Sequence, residues 1–207
     1  MELDKIFNLD CNRFMALCGN PFADLVLTSP PYNMTKRPGG ISDKGRYDCY
    51  VDWMSESDYI SFSKKLFNGF DKVVKTNGLV IYNFSYSIEN PSLPYKLVAS
   101  IQTDTVWRLV DTIVWKKKCG IPFPANERRL SRNWEFVWIF ARKSEIDTFN
   151  IYKGVKSVSS KTGQKYYNLF YNMIEAANND GETRDLNQAT FSSDLCIKLF
   201  EIYAKKR

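Results

Sequence analysis

Thr28-Ser29-Pro30-Pro31-Tyr32 is the stretch of this chain with the most chemical content. It follows the apolar run Leu25-Val26-Leu27, so a hydroxyl, two prolines and an aromatic ring stand at the carboxyl end of an expected strand. Open α/β sheets place their ligands at such ends. Proline cannot continue a ladder, so the strand stops there and the turn after it is rigid. With proline near 5% of residues, a Ser/Asn/Asp-Pro-Pro-aromatic pattern arises by accident in about 1% of chains of this length. The alternative is a strand that merely ends in a stiff turn. What the motif can do is narrowed by what the chain lacks. There is no histidine, which removes Ser-His-Asp and Cys-His mechanisms and most catalysis by a group titrating near neutral pH. The five cysteines, Cys11, Cys18, Cys49, Cys119 and Cys196, are odd in number and form no C-x-x-C pair. Neither a disulfide framework nor a metal site is expected.

The elements that must position this motif follow from hydrophobic periodicity. Lys5 to Leu9 reads as a short strand, then a helical turn through Phe14 and Leu17, then a buried strand over Ala23 to Thr28. Residues 33 to 48 contain three glycines and little that can pack, and read as a long loop. Ser55-Glu56-Ser57-Asp58 is a capping-box pattern. Tyr59, Phe62, Leu66, Phe70 and Val73 then recur at helical spacing until Asn77-Gly78. Strands are expected at Leu79 to Phe84, Trp107 to Trp115 and Trp134 to Ala141, with a helix after Pro94 and a last helix from about Ser193 through Ile202. Short strands alternating with helices predict one α/β domain.

Length and composition agree with a single folded unit. The chain has 207 residues, of which 44% are apolar, 15% aromatic and 25% charged, a composition that describes a globular protein and not a disordered one. No apolar run approaches a membrane span, and Met1-Glu2-Leu3-Asp4-Lys5 lacks the pattern of a secretion signal, so the expectation is cytoplasmic. Net charge is +6. Between Lys116 and Lys143 stand eight basic residues, Lys116, Lys117, Lys118, Arg128, Arg129, Arg132, Arg142 and Lys143, against two acidic ones, Glu127 and Glu135. That island carries the whole excess. With Pro122, Phe123, Pro124 and Trp134 beside it, it could neutralise phosphates and lean on bases; as a solvated basic loop it would do neither.

The motif resembles that of the DNA amino-methyltransferases, which use S-adenosylmethionine to methylate N4 of cytosine or N6 of adenine. An exocyclic amine is a poor nucleophile because its lone pair is delocalised into the ring. Acceptors that bind its hydrogens draw that pair back toward nitrogen. The resemblance implies that the Ser29 hydroxyl and Pro30 carbonyl are those acceptors, that Pro31 helps to hold them rigid for in-line transfer, and that Tyr32 stacks on a base flipped out of double-stranded DNA. Asn8-Leu9-Asp10-Cys11 is similar to the family's Gly-Asp-Cys stretch, which puts Asp10 near the cofactor adenine; Thr28, just before the motif, is a further cofactor contact that the resemblance implies. Read alone, Asp10 is a helix cap. Tyr47-Asp48-Cys49-Tyr50 with Trp53, and Asn77 to Asn83, resemble the next sheet elements. Leu130 to Val137 is similar to the stretch after the DNA-facing loop, and Asn187-Gln188-Ala189-Thr190-Phe191-Ser192 resembles the segment that closes over the cofactor, with Thr190 and Phe191 as its contacts. The order matches the circularly permuted branch.

The resemblance implies a Rossmann-like sheet with helices on both faces, and a DNA-facing basic loop at 116 to 133 inserted in a single partial domain spanning 1 to 207. In it Arg128, Arg129 and Arg132 would meet guanine edges and Lys116, Lys117 and Lys118 phosphates. Ser29 in place of aspartate leans toward cytosine N4. The Tyr152 to Asn179 stretch is a further DNA-facing or subunit-facing piece, or an irregular connection. The family's glycine-rich cofactor turn, with the central strand before it, is absent from the sequence, so the expectation is a split or truncated enzyme whose second half is another polypeptide or was lost. The alternatives are an inactive relative kept as a DNA-binding or structural protein and, outside the family, a basic α/β module that binds RNA.

Overall fold

In the computed structural model, residues 4–34, 54–87, 89–121, 128, 130–178 and 192–204 are described. The elements in chain order are α1 (Cys11–Leu17), β1 (Ala23–Thr28), α2 (Glu56–Val73), β2 (Val74–Phe84), α3 (Leu93–Asp104), β3 (Trp107–Ile121), β4 (Arg132–Arg142), β5 (Val155–Val158), β6 (Lys165–Tyr167), β7 (Met173–Ala176) and α4 (Ser193–Tyr203). Five strands form one mixed sheet in the order β1-β2-β4-β3-β7. β1 and β2 run parallel around the α2 crossover, β4 lies antiparallel to both β2 and β3, and β7 returns parallel to β3. β5 and β6 make a separate two-stranded hairpin.

The sheet is apolar on both faces, and strand alternation sorts its side chains. Val80, Tyr82, Phe84, Trp138 and Phe140 point to one side, where they pack with Tyr59, Phe67 and Phe70 of α2 and Leu97 and Ile101 of α3. Leu79, Ile81, Ile113, Val137 and Ile139 point to the other, against Leu195, Leu199 and Ile202 of α4. A strand covered on both faces reads as a continuous apolar run, which is how Leu79 to Phe84 and Trp134 to Ala141 read. The fold is therefore the expected α/β sheet with helices on both faces. Among the described residues no helix is long and apolar enough to cross a membrane.

α2 begins where its sequence says: the Ser55 hydroxyl accepts from the Asp58 amide at 3.1 Å, with Glu56 and Asp58 in the first turn. Ser55→Ala is expected to cost about 1 kcal/mol and to lower the melting temperature by about 2–4 °C, read by thermal circular dichroism. The helix ends four residues before Asn77-Gly78. Asn77 adopts φ 60° inside β2 instead, where the pairing with β1 shifts register between Ala23 and Leu25. A left-handed residue serves a strand irregularity as well as a helix cap. A Cβ on Gly78 would stand 2.9 Å from the Asp24 carbonyl, so the two strands meet there at a distance that leaves no room for a side chain.

Three other expectations change. Lys5 to Leu9 forms no strand, and Ile6 is fully exposed. β3 continues past Trp115 to Ile121, so Lys116, Lys117 and Lys118 belong to a strand and not to a loop. The 152–179 stretch supplies β5, β6 and β7, the last of them an edge of the main sheet. The long loop expected over 33–48 falls mostly on residues outside those described. Its flanks are joined, because Asn33, at φ 54°, donates from Nδ2 to the Met54 carbonyl at 3.2 Å and accepts from the Met54 amide.

Candidate active site

Strand directions gather the site at one end of the sheet. β1 and β2 are parallel, so both carboxyl ends lie there; β4 is antiparallel, so its amino end does; β3 brings its carboxyl end back beside it. Register makes this specific: Thr28 pairs with Tyr82, Asn83 with Val137, and Trp115 with Glu135. Ser29, Tyr32, Asn83, Glu135 and Lys117 thereby meet, though they come from four segments of the chain.

They form one hydrogen-bonded network. Ser29 Oγ lies 2.8 Å from the Tyr32 hydroxyl and 3.4 Å from Asn83 Oδ1. Tyr32 Oη is 2.8 Å from Asn83 Oδ1 and 2.9 Å from Glu135 Oε2. Asn83 donates from Nδ2 to the Phe136 carbonyl at 2.8 Å, which turns its oxygen toward the motif. The other carboxylate oxygen of Glu135 accepts from Lys117 Nζ, whose ammonium also sits 4.7 Å from the centroid of Trp115. Glu135 is only 8% exposed. A buried carboxylate needs a partner of opposite charge and filled hydrogen bonds, and it has both. Beneath the motif, Tyr59 of α2 donates its hydroxyl to the Pro31 carbonyl, and the Tyr32 ring packs edge-on to Phe84 at 5.2 Å.

The other residues singled out from sequence are dispersed. Asp10 caps α1, accepting from the Arg13 amide at 2.9 Å, and is exposed. Thr28 is the last residue of β1 and half-buried. Thr190, Phe191 and Arg129 lie outside the described residues. Lys116 pairs with Glu175 at 2.6 Å, and Lys117 with Glu135. Lys118 is exposed at the end of β3, and Arg128 is exposed in the turn that follows. Arg132 donates to the Tyr86 carbonyl, its guanidinium 5.2 Å from that ring's centroid.

The basic island is not one patch. Arg132 and Arg142 open and close the same strand, which at about 3.3 Å per residue separates them by roughly 33 Å. Arg142 is tied to Asp71, Glu145 and the carbonyls of Asp71, Lys75 and Val74, and Lys143 to the Thr105 carbonyl, so both serve the fold. Sequence reasoning missed Asn83 and Glu135. The signal was present as one amide and one carboxylate inside the otherwise apolar runs Leu79-Val80-Ile81-Tyr82-Asn83-Phe84 and Trp134-Glu135-Phe136-Val137.

A hydroxyl, two prolines and an aromatic ring thus stand at the carboxyl end of the edge strand β1, where the βαβ unit β1-α2-β2 opens, with a buried acceptor network behind them. The profile of the N6_N4_Mtase family, described as DNA methylase, matches residues 23–200, and the chain belongs to that family. No curated protein matches it in sequence. Among solved structures it is similar to the PvuII DNA methyltransferase, described as cytosine-N4-specific, with a TM-score of 0.65 at 15% identity over 95% of this chain and 68% of that one. It is also similar to M1.HpyAVI, with a TM-score of 0.56 at 15% identity over 96% of this chain and 75% of that one. These two likenesses concern the fold.

Proposed function

We propose that this chain transfers a methyl group from S-adenosylmethionine to the exocyclic amine of a base flipped out of double-stranded DNA, with N4 of cytosine preferred over N6 of adenine. The observation that carries the reading is the placement of Ser29: its oxygen stands at the strand end, with Tyr32 and Asn83 behind it to take its hydrogen. Its lone pairs then face outward as acceptors. The Pro30 carbonyl, which the resemblance assigns, is the motif's second acceptor for the amine, and Tyr59 holds the neighbouring Pro31 carbonyl. Two acceptors on two amino hydrogens raise electron density on nitrogen, and the prolines fix their spacing. No histidine is needed, since the surplus proton can pass to water.

The cofactor supplies an electrophilic methyl group on a sulfonium. The resemblance assigns its nucleoside to Asp10 and Thr28: Asp10 has a carboxylate with one oxygen left over from its capping bond, and Thr28 a hydroxyl at the end of β1. Thr190 and Phe191 complete the proposed cofactor contacts.

The reading includes a partner segment. β1 lies at the edge of the sheet, carries Ala23, Leu25, Val26 and Leu27, and is only half-buried. Nearby, Phe7, Leu9, Phe14, Leu17 and Phe22 line an open apolar cavity of about 620 Å³. Natural edges are blunted by lysine, proline or bulges, and most of β1 lacks these. A strand carrying a glycine-rich cofactor turn, on a second polypeptide or a further segment, would pair along it.

The test is methyl transfer from labelled cofactor to DNA, with and without such a segment, followed by nucleoside analysis. N4-methylcytosine is the expected product. No transfer to any DNA in the complemented protein sinks the reading in favour of an inactive DNA binder. Lys118, Arg128 and Arg129 are the proposed DNA contacts, joined by Lys153, Lys156, Lys161 and Lys165 of the β5–β6 region, a stretch with no acidic residue between Thr148 and Ile174. Replacing Arg128 and Arg129 by alanine is expected to reduce the slope of log Kd against log salt by about 1–2. An unchanged slope would remove them from the interface.

A further inference from the structure

Glu135 is a buried, charged group that the methylation scheme above does not use. It sits on the same face of the sheet as Asn83 and Lys117, the α4 face, because Asn83 pairs with Val137 and Trp115 with Glu135 across the ladders. Its two oxygens are divided between an ammonium and a phenol: Oε1 faces Lys117, and Oε2 lies 2.9 Å from the Tyr32 hydroxyl.

We propose that Glu135, anchored by Lys117, is the positioning residue that sets the hydrogen-bond polarity of the catalytic motif; the proposal rests on the methyltransferase reading given above. Tyr32 has one hydroxyl hydrogen and three acceptors within reach, Ser29 Oγ and Asn83 Oδ1 at 2.8 Å and Glu135 Oε2 at 2.9 Å. Hydrogen bonds to a charged acceptor are roughly twice as strong as neutral ones, so at nearly equal distance the carboxylate takes the hydrogen. The Tyr32 oxygen is then an acceptor, and the Ser29 hydroxyl, 2.8 Å away, donates into it. Ser29 is left with lone pairs only toward the substrate. A chain of this kind, Ser29 to Tyr32 to Glu135, also polarises cooperatively, which makes the outermost oxygen a better acceptor. Were Glu135 uncharged, Tyr32 could turn its hydrogen toward Ser29, and Ser29 could then present a donor to an amine that needs an acceptor.

Lys117 makes the arrangement possible. Side-chain exposures of 14% for Lys117 and 10% for Glu135 exclude most water from the pair, and Trp115 supports the ammonium through its ring face. The pair links the motif to the basic end of β3, on which Lys116 and Lys118 flank Lys117.

Two measurements test this. In the first, on the full chain without cofactor, tyrosines are labelled with 13C at the phenol carbon and the Tyr32 resonance is assigned by its loss in Tyr32→Phe. A carboxylate beside a phenol opposes its ionisation, so Glu135→Gln is expected to move the Tyr32 titration down by about one pH unit, whereas Glu56→Gln leaves it in place. In the second, Glu135→Gln and Tyr32→Phe each slow single-turnover methyl transfer about 10- to 100-fold, with cofactor and DNA Kd within about twofold of the parent. The double variant is no slower than the worse single one, since both cut the same chain, and Glu135→Asp recovers part of the rate. An unmoved Tyr32 titration, a wild-type rate for Glu135→Gln, or singles whose effects multiply would each overturn the proposal. An intact titration shift in a parent that methylates no DNA overturns the functional reading instead.

Discussion

Ser29→Ala is expected to lower the rate of methyl transfer to DNA by on the order of 10²- to 10³-fold while leaving melting temperature and DNA affinity near those of the parent. The size follows from what a single preorganised hydrogen-bonding group at a reacting centre contributes, about 3–4 kcal/mol of transition-state stabilisation. The amine's lone pair is available for attack only to the extent that its hydrogens are engaged, and one of two acceptors disappears with the hydroxyl. The fold has little stake in Ser29. Its bonds run to Tyr32 and Asn83, and both retain other partners: Tyr32 has Glu135, and Asn83 has the Phe136 carbonyl. Loss of activity and stability should therefore separate. Single-turnover transfer at saturating cofactor, with thermal melts beside it, checks both halves. A Ser29→Ala protein within threefold of the parent rate would show that the motif's hydroxyl is not the acceptor. Ser29→Asp is the informative partner, since a carboxylate accepts equally well and should restore most of the rate if acceptor capacity alone is what the position supplies.

The motif was legible because its chemistry is local. Two prolines after an apolar run announce a strand end wherever they occur, and Ser55 with Asp58 announces a helix start. The network behind the motif was not legible, because Asn83 and Glu135 lie 54 and 106 residues from Ser29 and only strand pairing says that they meet. Charge misled for the same reason. Eight basic residues in 28 positions look like a patch until β4 carries Arg132 and Arg142 to opposite ends of the sheet, and until Lys116 and Lys117 find Glu175 and Glu135 across neighbouring strands. Asn77-Gly78 reads as a helix stop because Asn and Gly are the residues that most readily take the left-handed cap conformation. In the fold it accommodates the register shift between β1 and β2. Lys5 to Leu9 has a strand's composition without a neighbouring strand, and composition alone does not build a ladder.

Phe67→Ala is expected to be the most damaging single change to the fold, costing about 3–5 kcal/mol against a total stability of about 5–15 kcal/mol. Phe67 is fully buried and its ring lies 4.8 Å from that of Phe140, 5.2 Å from Tyr82, 5.4 Å from Phe70 and 6.4 Å from Trp107. It thus joins α2 to β2, β3 and β4 in one array. Its backbone carbonyl also accepts from Trp107 Nε1 at 2.9 Å, so the rings around it are held and cannot collapse into the space it leaves. The melting temperature should fall by roughly 6–20 °C. Activity is expected to fall with it, unlike in Ser29→Ala, because α2 also carries Tyr59, whose hydroxyl holds the Pro31 carbonyl. The array continues from Tyr82 through Phe84 to the Tyr32 ring itself. Phe67→Leu, which keeps most of the volume, should lose under about 1.5 kcal/mol and retain transfer. A Phe67→Ala melt within 2 °C of the parent would mean that α2 packs on the sheet without this ring, and that the Pro31 support has another origin.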